Sequence, residues 1–358
     1  MSRRPFAVLL TAASFFVLTL FERAVLCAEQ NPTQTPPQSA THPSDAQARI
    51  RVNSELVVLP VTVKDSKGDL VPDLQQNEFR IFDDNIEQSI DVFTAEAFPL
   101  SLVVLIDDDL KAKDAEQMTA SLRAIIGGIS ANDEALICRF DLSFYPGDGF
   151  TSDLDKLWIA LKDAQDHSAP STAGPVPFVT PPSTHGAGVG EPTPKAPVNP
   201  GGRPNKALDD AVHYAAELLH DRGIARRKMI LVISDGSNAP QLNHYTYSDA
   251  LKALLRDNIS VYSLAIGKTL SKQKFSRLLQ YADDTGGDIY YADKSNSMER
   301  LYSQITEEAR HEYTLAYVPR GTNRNSTYHA VAVRISRAAV TIKTRHGYFT
   351  AASADTTQ

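Results

Sequence analysis

The sequence predicts an α/β protein: a doubly wound, mostly parallel sheet joined to a β-sandwich-like unit made from N- and C-terminal segments. Three observations carry this prediction. LVVLIDDD (102–109) and MILVISDG (229–236) are apolar runs without alternation that end in acid, the pattern of parallel strands buried on both faces. Around them, apolar runs alternate with stretches of helical periodicity, giving successive β/α units in one direction. Before residue 99 and after residue 310 the apolar period falls to two, as in antiparallel strands.

In chain order, Arg3 and Arg4 precede an apolar run from Phe6 to Phe21, and Ala28 supplies a small residue for cleavage. Residues 1–28 therefore read as an export signal, with an uncleaved membrane anchor as the alternative. Lipidation at Cys27 is disfavoured because Leu26 is bulky. Residues 29–49, rich in Pro, Gln, Thr and Ser, read as a linker. Residues 50–98 hold extended runs, among them FRIFDD and QSIDVFTA around a turn at Asp84-Asn85.

The α/β region spans 99–310. LVVLID and EALICRF read as strands, with helices over 115–129 and 153–165. A helix over 206–223 ends at Gly223. Strand MILVIS, helix 246–258, strand 259–267, helix 274–287, strand DIYYA and a helix from Met298 complete the alternation. The Pro/Gly-rich stretch 167–205 interrupts it as a long surface loop. Residues 311–350 contain YTLAYVP, YHAVAVRIS and AVTIKTRHGYF, which alternate and could close the first β segment into a sandwich. Residues 351–358 are a tail.

A net charge of −7 with no basic run excludes a nucleic-acid partner on electrostatic grounds. Once the signal is removed only Cys138 remains, so no disulfide framework exists, and its place in a strand makes it a buried small hydrophobe. The histidines lack metal spacing; His213 and His220 are a ligand pair only if they share a helix face. Tyr313, Tyr317, Tyr328, Tyr348 and Phe349, at strand spacing, read as core or cross-strand pairs in preference to a carbohydrate face. No phosphate loop or nucleophile elbow occurs, and no small-molecule substrate is expected.

In an open α/β sheet the carboxyl ends of the strands line one crevice, so Asp107, Asp109 and Asp235 could converge there. The order of VTVKDSKGDLVPDLQQNEFRIFDD, VVLID, RKMILVISDGSN, VYSLAIG, LLQYADDTGG and EYTLAYVP…RHGYF resembles a von Willebrand factor type A domain. Within it, the chain is most similar to the secreted bacterial von Willebrand A-related acidobacterial group. The resemblance implies a non-enzymatic, adhesion- or scaffold-type protein binder at the cell envelope or outside the cell. It also implies a metal-ion-dependent adhesion site: an Asp-x-Ser-x-Ser loop, a Thr and a further Asp around Mg²⁺. Such hydroxyls and few carboxylates suit a hard ion that keeps waters and takes a partner's acid.

Matched by position, Asp107 and Asp235 fit, but Asp109 and Lys111 fall where serines are expected. Lys206, or Arg203, stands in place of the Thr. An ammonium has donors and no lone pair, so it cannot ligate a metal. Three arrangements stay open. In the first a lysine replaces the cation among Asp107, Asp109 and Asp235; in the second the lysines face solvent while the carboxylates with Ser237 or Thr151 still bind a divalent ion such as Mg²⁺; in the third all are solvated loop residues. The first is preferred, so the metal site reads as degenerate and no cofactor is expected. Asp107-Asp108-Asp109 also resembles the nucleophile loop of haloacid-dehalogenase-type phosphatases, with Ser234, a Lys and Asp283-Asp284 as partners. That alternative is disfavoured, because Asp283-Asp284 ends a helical stretch and does not follow a strand.

Overall fold

The computed structural model describes residues 56–108, 124–167, 206–223, 225–266, 276–292, 298–322 and 326–350. The export signal, the linker, the loop after residue 167, the tail, Asp109, Lys111 and Arg203 lie outside the described residues, as does most of the helix expected over 115–129.

The chain opens with strands β1 (Val57–Asp65), β2 (Phe79–Asp83), β3 (Ile86–Gln88) and β4 (Val92–Thr94). Next come β5 (Leu100–Asp107), helix α1 (described over 124–128), β6 (Glu134–Phe140), the short β7 (Phe144–Tyr145) and α2 (Leu154–His167). The second half of the α/β region holds α3 (Leu208–His220), β8 (Arg227–Ser234), α4 (Tyr247–Arg256), β9 (Ile259–Ala265), α5 (Ser276–Thr285), β10 (Ile289–Tyr291) and α6 (Met298–Arg310). The chain closes with β11 (Tyr313–Tyr317), β12 (Tyr328–Ile335), β13 (Val340–Thr344) and β14 (Gly347–Phe349).

The central sheet runs β10-β9-β8-β5-β6-β7, with every neighbouring pair parallel except β6 and β7. All eight residues of β5 are buried, which is why that run lacks alternation. Side chains of β5, β6, β8 and β9 feed two apolar cores, one with α1, α2 and α6 and the other with α3, α4 and α5. Chain order leaves β5 toward β6 on one side and resumes at β8 on the other. The reversal point, where ligand crevices form, therefore lies between the ends of β5 and β8.

Two four-stranded antiparallel sheets, β13-β1-β11-β4 and β14-β12-β2-β3, make the sandwich-like unit. Strand β1 lies between β11 (Val57↔Tyr317 through Val61↔Tyr313) and β13 (Val61↔Thr344 through Asp65↔Val340), so the two ends of the chain close one core. Leu59, Val61, Ile81, Tyr313, Leu315 and Tyr317 fill it. Tyr313, Tyr317 and Tyr348 are buried, and Tyr328 pairs across strands with Phe349, the arrangement expected of the tail aromatics.

Two predicted strands are each broken in two. Of QSIDVFTA, Gln88 ends β3, which pairs with β2, and Val92–Thr94 form β4, which pairs with β11, so the chain changes sheets within the run. AVTIKTRHGYF divides at Arg345-His346, where the chain passes from β13 to β14. Gly347 permits that crossing: a Cβ there would lie 2.3 Å from the His329 carbonyl oxygen. Period-two alternation continues across both breaks, so the pattern itself does not mark them.

Ion pairs join the sandwich to the α/β layer. Lys64 on β1 reaches Asp288 at 2.8 Å and Glu308 of α6 at 2.7 Å. Glu312, between α6 and β11, accepts from Arg227 Nη1 and from the Tyr262 hydroxyl, each at 2.9 Å. Among the described residues no helix is long and apolar enough to cross a membrane.

Candidate functional site at the strand ends

Asp107 is the last residue of β5, and Asp235 directly follows β8, so the reversal of strand order sets their carboxylates side by side. Lys206 enters from a third direction, two residues ahead of α3. Its carbonyl accepts from Ala239 N (2.9 Å), and the next amide, Ala207 N, donates to Asp141 O (2.8 Å). Pinned between the loops after β6 and β8, its side chain reaches the crevice floor. There Nζ donates to Asp107 Oδ2 at 2.6 Å and to Asp235 Oδ1 at 3.0 Å. Lys206 and Asp107 are both 0% exposed.

The surrounding groups support that pairing. Ser234 Oγ donates to Asp107 Oδ2 at 2.6 Å and itself accepts from Gly236 N. Ser237 N donates to Asp235 Oδ1 at 2.9 Å. Burial pushes the Asp107 carboxyl up, and the Lys206 ammonium and Ser234 hydroxyl oppose that push. Burial acts on Asp235 in the same sense but is outweighed by Lys206 and the Ser237 amide, so its carboxyl is held below the ordinary range. Desolvation likewise disfavours the Lys206 cation, yet the two carboxylates win and raise its pKa. The ammonium therefore stays charged between them.

The resemblance implies Mg²⁺ at this point, and these residues do not fit it. An ammonium that donates to both carboxylates stands where a cation would, and it offers no lone pair. Ser237 lies beside Asp235 through its amide. Thr151 does not belong to the crevice, because its backbone bridges Ala135 near the start of β6, whereas Asp107 pairs with Phe140 at that strand's far end. The antiparallel β7, which the sequence did not reveal, turns the chain back and carries Thr151 there.

The phosphatase-type constellation is not assembled either. Asp283 and Asp284 close α5 just ahead of β10, at the end of the sheet opposite Asp107. They pair with Lys343 and His346 of the sandwich segment. His213 and His220 also part company: His213 stacks on Tyr245 (3.7 Å between centroids), and His220 Nδ1 lies 3.0 Å from Asp257 Oδ1. Cys138 is fully buried, and burial pushes its thiol up to about 12.

Sequence reasoning missed the second rank of groups around the crevice. Asp209 accepts from Asn238 Nδ2 (2.9 Å) and the Tyr281 hydroxyl (2.8 Å). Asp210 accepts from the amides of His244 and Tyr245. Adjacent acids at a helix start, Leu208-Asp209-Asp210-Ala211, are the signal, but they read equally as helix-dipole partners. On the β6 side, Arg139 Nη1 donates to Asp108 Oδ2 at 2.6 Å, and burial pushes the Asp108 carboxyl up to about 7 against that pairing. A separate acid and histidine cluster, Asp83, Asp84 and His329, lies in the sandwich and not at the strand ends.

No family model matches the sequence, and no curated protein matches it. Similar solved structures include a von Willebrand factor type A protein from Catenulispora acidiphila, 10% identical over 82% of this chain and 73% of that one (TM-score 0.40). A manganese-loaded TRAP protein from Plasmodium vivax is 11% identical over 73% of this chain and 99% of its own (TM-score 0.39). An aerotolerance-related membrane protein from Bacteroides fragilis is 15% identical over 58% and 99% (TM-score 0.40). Likenesses this distant carry no inference about activity or partners. Strand order decides the fold: a doubly wound α/β sheet with one antiparallel edge strand and two acids side by side at its reversal point, the architecture expected from the sequence.

Proposed function

We propose that this chain is an exported, non-enzymatic protein-binding module of the von Willebrand A-related acidobacterial kind, whose strand-end crevice uses Lys206 where a divalent ion is expected. The observation that carries this reading is the buried Lys206 ammonium bridging Asp107 and Asp235. Its charge already balances carboxylates that would otherwise repel one another in a desolvated floor. Recognition then falls to the crevice rim, around Ser237, and proceeds without a metal. The partner is a protein at the envelope or outside the cell.

Retention of envelope proteins on the immobilised mature chain tests this. The retained set should be the same in EDTA and in Mg²⁺, and Ser237→Arg, which fills the rim, should remove it. Retention that requires Mg²⁺ would instead support a working adhesion site that grips a partner's acid. Turnover of an aryl phosphate with Mg²⁺ would contradict the non-enzymatic reading.

A further inference from the structure

The sandwich carries a cluster that the crevice does not use. Asp83 ends β2, Asp84 opens the turn into β3, and His329 stands on β12 beside them. One ligand atom from each lies within 4.8 Å of the others. His329 Nδ1 is 2.8 Å from Asp84 Oδ2 and 3.8 Å from Asp83 Oδ1.

Asp83 is 0% exposed and its Oδ1 has no hydrogen-bond partner. A buried carboxylate oxygen left so is costly, and it calls for an explanation such as an ion. Its other oxygen is fully used, since the hydroxyls of Tyr317 and Tyr348 both donate to Oδ2 at 2.9 Å. Those bonds fix the carboxylate with Oδ1 turned toward the imidazole. The Tyr348 ring stacks on His329 (5.0 Å between centroids, 16° between planes) and holds the imidazole in place. Ala330 N donates to Asp84 Oδ1 and frees Oδ2 for the centre of the cluster. Metal sites depend on such outer partners to aim their ligands.

We propose that Asp83 Oδ1, Asp84 Oδ2 and His329 Nδ1 form a binding site for a divalent transition-metal ion, of which Zn²⁺ is the probe. One imidazole nitrogen with two carboxylate oxygens suits such an ion better than Mg²⁺. Ligand atoms around tetrahedral Zn²⁺ stand about 3.3 Å apart, from bond lengths of about 2.0 Å. To reach that geometry the 2.8 Å separation of His329 from Asp84 must open and the 3.8 Å separation from Asp83 must close, each by about half an ångström. Asp84, whose side chain is 33% exposed, has room to supply the first movement. The ion takes the Nδ1 lone pair, and the proton now shared with Asp84 leaves to solvent or to Nε2. Arg345, buried beyond the two tyrosines, sets one positive charge behind the site, which two carboxylates outweigh. Solvent at the Asp84 side fills the fourth position.

The test is a titration of the full chain with Zn²⁺ against a chromophoric chelator, beside Asp84→Asn. Asn tolerates the positive φ of 48° at this position, so the turn survives the change. One ion per chain is expected, with affinity at least tenfold lower in the variant and a rise in Tm with Zn²⁺ only in the native protein. Absence of saturable binding would overturn the site, leaving only the hydrogen-bonded His329–Asp84 pair. Binding undiminished by Asp84→Asn would overturn it as well, by placing the ion on surface histidines. A zinc X-ray absorption spectrum of the native protein needs no variant. One nitrogen from imidazole among oxygens supports the site, and several imidazoles contradict it.

Discussion

Lys206 is two residues short of a helix, carries the charge of a surface residue, and is fully buried. Burial of an ammonium is tolerable only with carboxylates in contact, and Asp107 and Asp235 provide them. Lys206→Met keeps the stem and removes the charge, leaving the desolvated Asp107 carboxylate without the Lys206 counter-charge. Urea denaturation at neutral pH should then show a loss of about 3–5 kcal/mol. The loss should shrink on acidification toward the unfolded pKa of about 3.9, because protonation removes the desolvated charge. A pH-independent loss would mean the lysine acts by packing alone. Asp108 offers a second check. Its folded pKa, about 7, lies above the unfolded value, so between pH about 4 and 7 the folded state holds the proton more tightly. Its contribution to stability is therefore greatest at acid pH and falls as pH rises through that window. The Asp108 carboxyl carbon should titrate by NMR with a midpoint near 7; a midpoint near 4 would refute the burial argument.

At the scale of elements, the apolar runs of β5, β8 and β9 were readable because strands buried on both faces have no polar side to show. Helix α4 was equally plain, with Thr246 capping it through Asp249 N and Asp249 returning the bond. The two-residue β7 left no periodic trace, and so Thr151 was expected in a crevice that it never reaches. Strand breaks between β3 and β4 and between β13 and β14 were hidden for a different reason. Changing sheets is a tertiary event that alternation does not encode. The joint between α6 and β11 depends on Glu312, buried against Arg227 and Tyr262. Glu312→Gln removes the carboxylate charge that Arg227 faces at 2.9 Å and leaves that guanidinium partly desolvated, at a cost of about 3 kcal/mol. Thermal unfolding should report it as a drop in Tm, whereas an unchanged Tm would mean that the Arg227–Glu312 pair does not stabilise the joint.

For the molecule as a whole, closure of the sandwich by segments from both sides of the α/β region makes the α/β layer an insertion between its halves. The sequence showed this as two β segments flanking an α/β alternation, each too small to be stable alone. It could not show which lysine meets the acids, since that depends on the loops after β6 and β8 gripping Lys206 through its backbone. A charge-balanced floor predicts a protein whose stability and recognition ignore Mg²⁺. The most direct test is calorimetric titration of the chain with Mg²⁺, beside the Lys206→Thr variant. We expect no saturable heat in the native chain and binding in the variant, where a hydroxyl joins Asp107 and Asp235 in place of the ammonium. Saturable Mg²⁺ binding in the native chain, lost on Asp235→Ala, would contradict the account and restore a metal-dependent adhesion site.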